Sequence, residues 1–152
     1  MWPTIETDLL PRLPAQMFDG ATGNWSECFA KLEEYRAYTD DWDGQRAYQG
    51  KPAKAITGAV VDSAVALAEL LRSHSIAPPY AFPGFGGNVL FEWQWQDGTM
   101  LEIDVLSPGV ADVDFMPHGQ PVQYWRIPEV ATTGANPTQV DAEPLIMQKP
   151  KT

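Results

Sequence analysis

Three short runs between Val89 and Met116 alternate apolar with polar residues, and the gaps between them end in Gly98 and Gly109. Successive side chains of a strand point to opposite faces. In the first run Val89, Phe91, Trp93 and Trp95 therefore share a face, with Leu90, Glu92 and Gln94 opposite. In the second, Leu101, Ile103 and Val105 oppose Glu102 and Asp104; in the third, Ala111, Val113 and Phe115 oppose Asp112 and Asp114. Such alternation is the pattern of an antiparallel sheet with one buried face. Gln96-Asp97-Gly98 and Ser107-Pro108-Gly109 both suit three-residue hairpin loops that end on a left-handed glycine. Those loops fix a register: Trp93 faces Leu101, Phe91 faces Ile103, and these face Phe115 and Val113. A one-residue slip sets Trp93 against Glu102 and turns the wrong face inward. A fourth strand, Val122 to Ile127, follows the Pro117-His118-Gly119-Gln120 turn. Read with Val122 and Tyr124 inward, it also turns Arg126 inward.

The register has a consequence on the other face. Glu92 comes opposite Glu102, Glu102 opposite Asp114, and Asp104 opposite Asp112. Like charges directly opposite are mildly destabilising. These five carboxylates, with no Lys or Arg among the three strands, form a candidate binding face. The plainer reading is a solvated surface that keeps the sheet from stacking on another.

The flanks read more simply. Residues 1–23 carry Pro3, Pro11 and Pro14 and predict an extended N-terminal arm, with a short turn at Ala15 to Phe18. Asn24, with Glu27 three residues on, or Ser26 alone, caps a helix that ends near Tyr38. Thr39 to Ala47 is a structured loop, in which Asp40, Asp41, Trp42 and Asp43 are further candidates for partner binding. Pro52 suits the first turn of a second helix. Its stripe of Ile56, Ala59, Val60, Ser63, Ala64, Leu67, Leu70 and Leu71 runs to about Arg72. Ile76 to Gly87 is a Pro/Gly/aromatic connector. Residues 129–152, with Pro137, Pro144 and Pro150 among polar residues, predict a flexible tail.

The order Trp42-Asp43-Gly44, helix, Pro-rich connector, Gly86-Gly87, Glu92-Trp93 and a hairpin with Leu101 and Ile103 is similar to a loose group of small bacterial and phage-borne proteins. That group carries a WDG segment, a helix, a proline connector, a glycine-pair turn and an EW strand. The likeness spans about Asp41 to Phe115, and Phe85 stands where the group usually has Asp before the glycines. It implies a shared fold and a bacterial or phage source rather than an activity.

Charge narrows the function. With 20 acidic and 10 basic residues the chain has a net charge of −10, the wrong sign for gripping nucleic acid or an anionic membrane surface. No apolar run is long enough for a membrane span, and the start does not read as a signal peptide. Cys28 is the lone cysteine, so no internal disulfide forms and a cytoplasmic location is expected. Cys28 beside Phe29 reads as a buried helix thiol, and His74 and His118 fall in no nucleophile pattern. No catalytic set, metal site or cofactor motif is assigned.

The expected fold is α+β: two helices on one face of a four-stranded antiparallel meander, residues 24–128, with the arm and tail outside it. The expected function is non-enzymatic binding of a basic partner protein, as an inhibitor, immunity or antitoxin-like protein, with mimicry of nucleic-acid charge as one form of it. The alternatives are a small metal-dependent hydrolase using the sheet-face carboxylates and a structural or assembly component.

Overall fold

The computed structural model describes residues 1–18, 23–44 and 51–129. The described residues form an α+β fold, with three helices and one antiparallel sheet of five strands in sequential order among them. The helices are α1 (Ile5–Asp8), α2 (Trp25–Tyr35) and α3 (Gly58–Ser73); the strands are β1 (Tyr80–Pro83), β2 (Val89–Gln94), β3 (Met100–Ser107), β4 (Val110–Met116) and β5 (Gln123–Ile127).

The central hairpins take the register that their loops dictate. Trp93 pairs with Leu101, Phe91 with Ile103 and Val89 with Val105; Ile103 and Leu101 then pair with Val113 and Phe115. Gly98 and Gly109 have φ of +93° and +75°, the left-handed values such loops require. A bulge between Val105 and Ser107 keeps the apolar rows aligned through the second turn. Phe91, Trp93, Leu101, Ile103 and Val113 are buried, and Phe115 is half-buried at the rim.

Both outer strands correct the expected count or phase. Residues 80–83, expected as connector, form β1, which pairs Tyr80 with Glu92 and Phe82 with Leu90. Pro83 is tolerated because β1 lies at the sheet edge. In β5 the phase is the reverse of the expected one: Trp125 and Ile127 are buried, while Val122, Tyr124 and Arg126 are exposed. Pairing Val113 with Trp125 and Ala111 with Ile127 sets that phase, and it keeps a guanidinium out of the core.

The helices cover the inner face. Asn24 Oδ1 accepts from Glu27 N at 3.0 Å and starts α2, whose Cys28, Leu32 and Tyr35 are buried at helical spacing. Burial pushes the Cys28 thiol up to about 12, so it is held neutral. Tyr35 Oη donates to Ala81 O at 3.0 Å and ties α2 to β1. The second long helix starts later than Pro52 suggests, because Thr57 Oγ1 accepts from Val60 N at 3.2 Å and caps α3. Val60, Val61, Ser63, Ala64, Leu67, Ala68 and Leu71 are its buried stripe; Ala59 of the expected stripe is exposed and Leu70 half-buried.

The N-terminal arm is not extended. Trp2, Ile5 and Leu9 are buried in the same core as the sheet, and Leu10–Arg12 and Ala15–Phe18 are 3-10 turns. Trp2 Nε1 donates to Ser63 O at 2.8 Å, and Ser63 Oγ accepts from Gly109 N at 2.8 Å. Trp125 Nε1 donates to Asp8 O at 2.9 Å. The first residues of the chain therefore bridge α3 and the far edge of the sheet. The tail expected beyond Glu129 lies outside the described residues.

Residues 53–55 act as a strap between the 40–44 loop and the 84–87 turn. Asp41 N donates to Ala53 O, Trp42 Nε1 to Lys54 O at 2.9 Å, and Ala55 N to Asp40 Oδ1 at 2.9 Å. From the other side Lys54 N donates to Phe85 O at 2.8 Å. The Trp42 and Phe85 rings stack across it, centroids 5.6 Å apart and planes 14° apart. Gly87 has φ +86°, and a Cβ there would stand 2.9 Å from Ala55 O. Gly87→Ala is therefore expected to cost about 1–3 kcal/mol through strain and crowding. Gly86→Ala is the control, since its Cβ would meet only Asn88 Oδ1, at 3.5 Å. Thermal melts of both variants check this; equal losses would mean that the strap does not press on Gly87.

Candidate functional site

The outer face of the sheet is set by the register that buries the inner one. Two rows cross the strands. The first is Tyr80, Glu92, Glu102, Asp114 and Tyr124; the second is Phe82, Leu90, Asp104, Asp112 and Arg126. None of these outward residues is buried: the five carboxylates and Leu90 are half-buried, and the flanking residues are exposed. Directly opposite side chains on neighbouring strands lie about 4.5–5.5 Å apart at Cβ. The structure thus brings together all five expected sheet-face carboxylates, with like charges opposed as the sequence predicts.

Each end of the face adds something the sequence reading lacks. Arg126 on β5 faces Asp112: Nε donates to Asp112 Oδ1 at 2.7 Å and Nη2 to Oδ2 at 3.2 Å. This two-pronged pair raises the Arg126 pKa, through hydrogen bonding first, with burial opposing. Tyr124 beside it has its phenol pushed up by burial and by the negative charge of Asp112. Asn88 Nδ2 donates to Asp104 Oδ1 at 2.6 Å and anchors the other end of that row. Tyr80 is 46% exposed, Phe82 42% and Tyr124 58%, so aromatic rings stand at both margins of the carboxylates. Arg126 is the only Lys or Arg on the five strands.

The sequence carried signals for these margins. Tyr80-Ala81-Phe82 already alternates, and only the surrounding prolines disguise it. In Tyr124-Trp125-Arg126-Ile127, taking Trp125 and Ile127 as the inward pair avoids burying a charge.

The candidate residues of the 40–44 loop belong to a different construction. Asp40 and Trp42 are committed to the strap, and Asp41 sits at φ +63° as part of the turn, accepting from Gly44 N at its carbonyl at 3.0 Å. Asp43 is half-buried in the same turn. The loop and the sheet face are therefore not one acidic cluster built from the same strands. Among the described residues, no three His, Cys, Asp or Glu side chains are gathered in a way that could hold a metal ion. Among them too, no helix is long and apolar enough to cross a membrane.

No protein-family model matches the chain, and no curated protein or solved structure matches it either.

Proposed function

We propose that the outer sheet face is a docking surface for a basic partner protein. The protein is then a non-enzymatic, inhibitor-, immunity- or antitoxin-like binder, in a bacterial or phage setting. The observation that supports this reading most is the register itself. It sets Glu92 against Glu102, Glu102 against Asp114, and Asp104 against Asp112, on the face that no described helix covers. Opposed like charges weaken a sheet, and a partner's cations relieve that repulsion on contact. Tyr80, Phe82 and Tyr124 suit the same partner, because guanidinium and ammonium groups are attracted to aromatic faces. A charged face also speeds encounter by steering, an effect that salt screens over roughly 8–10 Å.

The test pairs stability with binding. Replacing Glu102, Asp104 and Asp114 together by Gln, Asn and Asn should leave the melting temperature unchanged or slightly raised. The same variant should lose affinity for the partner that the parent protein recovers from host lysate, and the parent's own affinity should fall as salt rises. A triple variant that binds as well as the parent would reduce the face to solvated surface.

A further inference from the structure

We infer that β5 is an interface strand: two copies of this chain pair through it, antiparallel, about a two-fold axis that crosses the sheet at Trp125 and joins their sheets into one. The inference stands apart from the reading proposed for the carboxylate face.

The two edges of the sheet are finished differently. β1 is blunted as a template for another strand. Pro83 within it has no N–H, Tyr35 Oη donates to Ala81 O at 3.0 Å, and Gly23 N donates to Pro78 O at 3.1 Å just before it. β5, at the other edge, carries no proline, lysine or bulge over its five residues. In an antiparallel ladder alternate residues turn their N–H and C=O toward one neighbour, and the rest turn them away. The residues of β5 that turn away from β4 have no backbone partner among the described residues, and no described helix or strand lies along that side. Such a row of unpaired groups is a template for a further strand.

What selects a second copy is the sequence of the strand itself. Two antiparallel copies of β5 overlap fully in one register only, with Trp125 opposite Trp125 and Gln123 opposite Ile127. That register sets Tyr124 of each copy opposite Arg126 of the other, and both side chains are exposed on the outer face. The guanidinium of Arg126 is already positioned by its hydrogen bonds to Asp112, at 2.7 and 3.2 Å. Guanidinium groups are attracted to aromatic faces. The strand is thus complementary to itself, as an isologous interface requires. Pairing adds about four to six backbone hydrogen bonds, according to which residues turn outward. The axis runs normal to the sheet, so buried rows continue into buried rows and both outer faces stay on one side.

Two features keep the pairing weak. Contact along five residues covers less than the roughly 1,200 Å² of a standard interface. Each copy also carries a net charge of −10. Salt screens that repulsion, so self-association strengthens as salt rises, the opposite of the sign expected for a basic partner.

Sedimentation velocity of the full chain, over roughly 10 µM to 1 mM, covers the range of weak affinities. The parent should pass from monomer to dimer, and at lower concentration in high salt than in low. Tyr124→Lys sets like charges opposite one another twice across the axis, yet faces Asp114 within its own chain. It should therefore fold as the parent does and weaken association at least about tenfold. Amide hydrogen exchange locates the contact. The outward amides of β5 should exchange freely in dilute protein and slow as dimer forms, while those of Ala81 and Phe82 should not change. A chain that stays monomeric throughout overturns the inference. So do dimers that Tyr124→Lys leaves intact, and outward β5 amides already protected in the monomer by another part of the same chain.

Discussion

Trp93→Ala is expected to lower the free energy of unfolding by about 3–5 kcal/mol, out of roughly 5–15 kcal/mol for a domain of ordinary stability. Trp93 is fully buried, 6.5 Å from Phe91 between ring centroids, and paired with Leu101. Its Nε1 donates to Ala77 O at 2.7 Å. Truncation leaves a large cavity at the centre of the sheet and strands a carbonyl without its donor. Trp93→Phe separates the two contributions. It keeps most of the volume and gives up the hydrogen bond, so its loss should be nearer 1–3 kcal/mol. Urea unfolding followed by far-UV circular dichroism reads both. A loss below about 1 kcal/mol for the alanine variant would mean that this face of the sheet is not the core.

The second large effect belongs to Asp8. Its carboxylate accepts from Thr4 Oγ1 at 2.6 Å, Thr7 Oγ1 at 3.3 Å and Glu129 N at 2.8 Å, while it is only 8% exposed. The Thr4 hydroxyl, followed by the Glu129 N–H, holds the Asp8 pKa below the ordinary carboxylate value, with burial opposing. Asp8→Ala should cost about 1.5–3 kcal/mol, because it leaves these donors unmatched where water reaches poorly. The sign of the pH dependence follows from the depressed folded pKa. The stabilisation is fully present above the unfolded value, near 3.9, and is lost as pH falls through the lower folded value. Melts of parent and Asp8→Asn should therefore differ most near neutrality and converge in acid. A gap that persists unchanged into strong acid would show that ionisation of Asp8 contributes nothing.

What the sequence disclosed depended on whether a structural rule left its mark in side chains. The two central hairpins were legible because strand parity and two left-handed glycines agree on one register. The carboxylate face was legible for the same reason, being the complement of the buried rows. β1 was hidden by Pro79 and Pro83, which argue against a central strand but not against an edge one. In the N-terminal segment Pro3, Pro11 and Pro14 masked the i, i+3, i+7 spacing of Trp2, Ile5 and Leu9. The strap was beyond reach for another reason. Asp40 and Trp42 bond to the backbone of Ala55 and Lys54, and a backbone group looks the same whatever residue carries it. Both residues therefore read as candidates for a partner, and their part in fastening the turn left no mark in the sequence.

The position of the N-terminal segment bears on how the chain is made. Strands in sequential order allow each hairpin to close as it leaves the ribosome, since its partners are near neighbours. The first segment has no such neighbour. Asp8 meets Trp125 and Glu129, 117 and 121 residues further on. At roughly 5–20 residues per second of synthesis, that wait lasts on the order of 6–24 s. Throughout it, Asp8 lacks the Trp125 indole and the Glu129 N–H that finally meet it. A message that stops short of β5 thus releases a product whose oldest end has lost its last anchor, the kind of incompletely packed state that chaperones and proteases act on.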